Sequence, residues 1–206
     1  MALMPAMSPS QVTELIRNAA ETRRVAKYGS VLTTTTWGPG PISLFPTAAP
    51  VNSVFGNLPV AATFPQSTQL VVYGIGFFVA MNNGVGATGA QPAPADVQAI
   101  IGRTSMVLRI SEKTYFDQAV WTAPGGGGVY GNVQLAAAAA HTFLTNGEPL
   151  AANYWRLDDP MTGDPGKLIR GQETVEFFLQ TDAAVTLTAT TRVFGIMFCN
   201  ELRPVN

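Results

Sequence analysis

Alternation of apolar and polar positions is the main signal in this chain, and its period is that of β structure. The cleanest run is Gln69–Asn82. Val71, Tyr73, Ile75, Phe77, Val79 and Met81 fall on one side of it, and Leu70, Val72, Phe78 and Ala80 on the other. Both sides are apolar, which predicts a strand covered on both faces. Thr104–Ser111 alternates with Met106, Leu108 and Ile110 inward and Arg109 outward. Glu173–Thr181 sets Val175, Phe177 and Leu179 on one face. Asp182-Ala183-Ala184 then turns the chain into Val185–Cys199, which reads as one long strand. Both faces of that strand become apolar after Arg192, the mark of a bulge or of deeper burial. Shorter strands are predicted at Ser30–Trp37, Tyr115–Trp121, Tyr130–Leu135 and Asn153–Leu157, while Ala136–His141 fits a helical turn or an apolar strand equally. Asn82-Asn83-Gly84 and Asn146-Gly147 are turn signals. Gly84–Pro94 reads as a loop and Ala95–Gly102 as a short helical turn.

The helical period is clear in only one place. Ser8-Pro9-Ser10-Gln11 supplies an N-cap, a first-turn proline and a capping-box glutamine. The helix is predicted to run to about Tyr28, with Gly29 as its stop and Val12, Leu15, Ile16, Ala19 and Ala26 on its apolar face. Arg23, Arg24 and Lys27 then form a basic C-terminal end that complements the helix dipole. Ahead of a β domain such a helix is an arm or a cover, so the expected organisation is a helical arm over 1–29 and a single domain over 30–206. The proline-rich stretch from Gly38 to Pro65 has little periodicity but is too apolar for a disordered linker. It is expected to pack in extended form over a surface. Counting gives about eight strands joined by Gly- and Pro-rich loops, an all-β pattern that suits one sandwich or jelly roll.

Charge changes this picture. From Tyr28 to Ala95, 68 residues, there is no Asp, Glu, Lys or Arg, and Gln118–Gly147 has none either, with only His141 as a possible charge near neutral pH. A lone soluble domain mixes both signs over its surface. A chain with this gap is expected to turn much of its surface to other protein subunits, or to lipid. The formal net charge of −1 leaves no electrostatic footprint for nucleic acid. The single Cys199 excludes an intramolecular disulfide, and no Cys/His cluster could hold zinc. The longest apolar run, Leu70–Met81, falls short of the roughly 20 residues of a membrane-spanning helix. The N-terminus has no basic lead-in of a signal peptide, so synthesis in a reducing cytosol is expected.

Each candidate for chemistry has a plainer reading. His141 is the only histidine, and no G-x-S-x-G elbow accompanies it, so it reads as structural. Asp158, Asp159 and Asp164 could gather oxygen ligands around a cation, but their spacing is not that of an EF-hand loop, and a solvated turn is favoured. Gly125–Gly128 lacks the Lys-Ser/Thr that follows in a phosphate-binding loop. Glu173 and Glu176 fall on opposite faces of one strand and cannot act as an acid/base pair. Trp37, Trp121 and Trp155 are scattered, as core and interface anchors are. No catalytic, cofactor-binding or metal-binding residue is assigned, no cofactor is expected, and the chain reads as a non-enzyme.

Several stretches in the second half carry a resemblance. They are Thr-Tyr-Phe-Asp-Gln-Ala-Val-Trp (114–121), Ala-Pro-Gly-Gly-Gly-Gly (123–128), Thr-Asn-Gly-Glu-Pro (145–149), Ile-Arg-Gly-Gln-Glu-Thr-Val-Glu-Phe-Phe-Leu (169–179) and Arg-Val-Phe-Gly-Ile-Met-Phe-Cys-Asn-Glu-Leu-Arg-Pro-Val (192–205). Their order resembles the jelly-roll capsid proteins of tailless icosahedral bacteriophages, many of which enclose a membrane. The likeness covers roughly the last 90 residues and rests on turn glycines and strand patterns. It implies a virion shell component, made in the host cytoplasm, whose partners are other copies of itself and other capsid proteins. On that reading Arg23, Arg24 and Lys27 are a candidate contact with lipid headgroups or genome. The rival reading is a non-catalytic receptor- or glycan-binding sandwich module of a phage spike or fibre.

Overall fold

The computed structural model describes residues 7–18, 21–33, 35–47, 56–60, 63–81, 94–122, 154–188 and 190–203. In chain order the elements are helix α1 (Pro9–Asn18), strands β1 (Glu21–Leu32), β2 (Thr36–Trp37), β3 (Gly40–Ser43) and β4 (Gln69–Met81), and helix α2 (Pro94–Arg103). Then come β5 (Thr104–Ile110), β6 (Lys113–Ala119), a 3₁₀ turn (Val120–Thr122), β7 (Trp155–Arg156), β8 (Lys167–Arg170), β9 (Val175–Thr181), β10 (Val185–Thr186) and β11 (Thr191–Arg203). The protein is mostly β, and every strand pairing among the described residues is antiparallel. One sheet runs β1-β11-β4, with β7 and β8 sharing the far side of β4. A second runs β3-β9-β5-β6, and β10 pairs with β2 in a small third ladder. The described sheets stay open and do not close into a barrel.

The two large sheets face each other across one core. Leu70, Val72, Ile75, Phe77, Val193, Met197 and Cys199 from the first meet Met106, Leu108, Ile110, Val175, Phe177 and Leu179 from the second. The inward sets predicted for β5 and β9 are therefore the ones observed. At one flank β1 lies over the chain that leaves β3, since a Cβ on Gly29 would come within 1.8 Å of the Leu44 carbonyl oxygen. At the other flank β7 lies over β6, with the Trp155 and Phe116 rings 5.5 Å apart. Helix α2 closes part of the core with Val97, Ile100 and Ile101. The Trp37 indole donates to Thr104 Oγ1 at 2.9 Å, so Trp37 is a core anchor, as expected.

The first predicted helix is much shorter than its pattern suggested. Ser8 and Gln11 do form the capping box, with the Ser8 amide donating to Gln11 Oε1 at 2.8 Å and the Gln11 amide to Ser8 Oγ at 3.4 Å. The helix ends at Asn18, however, and Glu21–Leu32 is a strand paired with β11 along its whole length. Long-range pairing on an apolar partner overrides local helix propensity here. The helix is a cover, as expected. Val12, Leu15 and Ile16 lie on Val71, Leu168 and Leu202, on the outer side of the first sheet.

Three further expectations change. Val185–Cys199 is not one strand. Leu187 N donates to Thr35 O, and Thr188 gives its amide and hydroxyl to the buried Asp96 carboxylate, so the chain leaves the ladder between β10 and β11. In β4 the simple alternation fails at Tyr73. The register shifts there, Val72 opposing Cys199 and Gly74 opposing Phe198. The bulge sends Leu70 and Val72 inward before it and Ile75, Phe77 and Val79 inward after it. Of the proline-rich stretch, residues 38–47, 56–60 and 63–65 are described; they bury Leu44, Phe45, Leu58 and Phe64 against the sheets, and part of them forms β3. The predicted turn at 82–84, most of the loop that follows it, the strand predicted at 130–135, the helical turn or strand at 136–141 and the turn at 146–147 lie outside the described residues.

Candidate functional site

Among the described residues the candidate chemistry disperses. His141 and Gly125–Gly128 lie outside them, as does the side chain of Trp121. The three aspartates of the 158–164 loop are each taken by a local partner. Arg156 grips Asp158 with two bonds, at 2.9 and 2.7 Å. Asp159 accepts from the Met161 amide and the Thr162 hydroxyl, both at 2.9 Å, and these bonds hold its carboxyl below the usual range. Asp164 accepts from the Gly166 amide and pairs with Lys167. No group of three acidic, histidine or cysteine side chains that could hold a metal exists among the described residues. The loop is a hydrogen-bonded turn, the favoured reading.

Glu173 and Glu176 have separate partners: Glu173 accepts from the Arg170 amide at 2.8 Å, and Glu176 sits 3.4 Å from Arg109. Arg109 also stacks over the Phe178 ring. Cys199 is buried in the core, and burial pushes its thiol up to about 12, which leaves it unreactive as a nucleophile.

The basic trio does not form one patch. Arg23, Arg24 and Lys27 stand on β1, where alternation sends Arg24 to the outer side and Arg23 and Lys27 to the inner side. On this sheet-edge strand an inward-facing lysine opposes pairing with another chain. The strand's free edge is also covered. Asn57 Oδ1 accepts from the Tyr28 amide and Asn57 Nδ2 donates to Ala26 O, both at 2.8 Å, while the Asn57 amide donates to Tyr28 O. One asparagine thus imitates a neighbouring strand.

Among the described residues, three surfaces stand out. The first is the outer side of the β1-β11-β4 sheet. There Tyr73, Tyr154 and Phe198 form one ring cluster, and Phe78 and Phe194 another. Gly74 leaves room for the Tyr154 ring, which a Cβ would meet at 2.0 Å. On the outward positions of these three strands, Arg24 and Arg192 are the charged residues. The second is a cleft of about 510 Å³ between the start of α1, the β5–β6 turn and β8, lined by Lys113, Tyr115, Lys167, Arg170 and Glu173 among others. Burial raises the Tyr115 hydroxyl's pKa, with Glu173 adding to the effect. The third is an apolar notch on the outer side of the second sheet, where β9 runs on past the end of β3. Sequence periodicity could point to the first surface, through the two apolar faces of β4. The other two arise where loops meet and leave no periodic trace.

No helix among the described residues is long and apolar enough to cross a membrane. No protein-family model, curated protein or solved structure matches the chain.

Proposed function

We propose that this protein is a structural subunit of a viral shell, a capsid protein of the tailless icosahedral phage type, which works by self-association. The observation that carries this reading is the outer side of the β1-β11-β4 sheet. Tyr28, Phe78, Ile196 and Phe198 are only partly buried there, Leu32 is 48 % exposed, and charge is confined to Arg24 and Arg192. Uncharged surface of this kind suits contact between subunits, because no charge must be desolvated. The strand order supports a jelly roll. Leaving out the two-residue strands β2, β7 and β10, eight remain, and they pair as first-eighth-third-sixth facing second-seventh-fourth-fifth. A double sheet of two Greek keys would have that order, which supports the reading. The resemblance in residues 114–205 points the same way. A fold alone assigns no function, so the reading leans on the uncharged surface.

The test is the native mass of the purified protein, by light scattering and negative-stain imaging. Rings or shells of many copies are expected. A species that stays monomeric at high concentration overturns the reading. It would favour a non-catalytic receptor- or glycan-binding module, for which the mixed-charge cleft around Tyr115 is the natural pocket.

A further inference from the structure

Two signals disagree over the first residues of β1. From Ser8 to Ala26 the sequence is patterned as a helix, and its capping box is formed. Yet α1 ends at Asn18, and Glu21–Leu32 is strand. Where local preference and tertiary pairing oppose each other, the energy gap between the two states narrows.

The strand is not held equally along its length. From Ala26 onward it is fastened on both edges. β11 lies on one edge, and on the other the Asn57 side chain accepts from the Tyr28 amide and donates to Ala26 O. Gly29 is buried under the chain that leaves β3. At the far end Thr33 N donates to Thr191 O at 2.7 Å, and Thr191 N donates to Thr33 Oγ1 at 2.8 Å. Glu21–Val25 has none of these supports. Among the described residues its strand pairing is with β11 alone. Thr22, Arg23 and Arg24 are exposed, and Val25 is partly buried against the core.

The same residues suit a helix. α1 already supplies the costly first turn, so each residue added to it gains a bond without a new nucleus. Arg17, Glu21 and Arg24 are spaced four and three apart, where opposite charges support a helix. Ala19 and Ala20, between α1 and β1 in the sequence, are the strongest helix formers.

We propose that Glu21–Val25 is a strap with two states: paired with β11 it is strand, and released it continues α1 as helix. Release is a local opening up to the Asn57 fastening. It bares the β11 edge from Cys199 to Arg203, since Cys199 stands opposite Val25 and Arg203 opposite Glu21. Cys199 has no exposed surface while the strap is closed, so its thiol reports the opening. The inference is independent of the self-association reading.

The experiment follows labelling of Cys199, the chain's single thiol, by a disulfide reagent in dilute protein at rising urea concentrations. Folded protein is expected to label with a much shallower urea dependence than that of global unfolding, the mark of local opening. A dependence equal to that of global unfolding would show that the strap does not open on its own and would overturn the proposal. Two variants at exposed Thr22 separate a switch from plain fraying. Alanine and glycine both weaken a strand, but only alanine favours a helix. Thr22→Ala is expected to label about fivefold faster than Thr22→Gly, from the helix-propensity difference between the two residues. Equal rates, or faster labelling of Thr22→Gly, would mean that the strand frays to coil and that the helical state is wrong.

Discussion

The Cys199 thiol shows how one buried group ties stability to pH. Its side chain lies on the inner side of β11 with no exposed surface, donating weakly to Met197 O at 3.6 Å. Burial pushes its pKa from 9.0 up to about 12, Lys27 pulling slightly the other way and Glu201 adding to the rise. The folded state thus prefers the neutral thiol more strongly than the unfolded chain does. The stability this gives is fully present below the unfolded value and is lost as pH rises from about 9 toward 12. The local slope can reach ~1.4 kcal/mol per pH unit. Tyr73 and Tyr115, both raised chiefly by burial, act in the same direction. Urea unfolding at pH 8, 9, 10 and 11 is therefore expected to show a falling midpoint, and Cys199→Ala is expected to flatten that fall while leaving the tyrosine part. An equal fall in both proteins would show that the thiol does not titrate on unfolding. Gly29 and Gly195 illustrate a constraint of another sort. They pair across β1 and β11, and a Cβ on Gly195 would press on Leu44 Cδ1 at 2.3 Å and on the Phe177 ring at 3.0 Å. Their missing side chains make the space through which the chain after β3 passes.

At the scale of elements, Asp96 fastens helix α2 to the break between β10 and β11. Its carboxylate accepts the Thr188 amide at 3.0 and 2.9 Å and the Thr188 hydroxyl at 2.7 Å, and it is 3 % exposed. Asp96→Ala would remove all three bonds to Thr188, whose partly exposed donors can then turn to water, so the expected loss is about 1–3 kcal/mol. The predicted outcome is a lower urea midpoint, with hydrogen exchange accelerated at Thr188 and in α2 before it is in β4; uniform acceleration would mean that α2 is not a separate fastening. This joint was not legible in the sequence, because 92 positions separate its partners and an aspartate before an apolar stretch reads equally well as a helix cap. β5, β9 and most of β4 and β11 were legible, because each alternates against a single core. β1 was not, since its charges and alanines also fit the end of a helix and only its partner strand decides. β3 and β8 were missed for a simpler reason: four residues containing Gly-Pro or a Lys and an Arg carry too little pattern to stand out. The surfaces followed the same rule. The outer side of β4 could be read from its residues, whereas the Tyr115 cleft and the β9 notch depend on where loops are held.

For the molecule as a whole, the uncharged stretches make a prediction about what drives assembly. Association through apolar surface has an entropic origin near room temperature, so it weakens on cooling and is strengthened by sulfate. Association through charge is screened, with a Debye length falling from about 30 Å at 0.01 M salt to about 3 Å at 1 M. Among the described residues, the ion pairs of Arg109 with Glu176 and of Arg203 with Glu201 are partly exposed, where such pairs contribute little. The outer side of the first sheet, by contrast, exposes Leu32 beside partly buried aromatic rings. Oligomers of this protein are therefore expected to survive an increase from 0.05 to 0.5 M sodium chloride with less than about a twofold change in the assembling concentration, roughly what screening of one exposed pair could cause, to form more readily in ammonium sulfate, and to loosen between 25 and 4 °C. Light scattering along these three axes separates the possibilities. Dissolution by salt alone would place the contacts on the arginines and acidic side chains, and the uncharged faces would then need another explanation within the fold, such as burial under the chain's own segments.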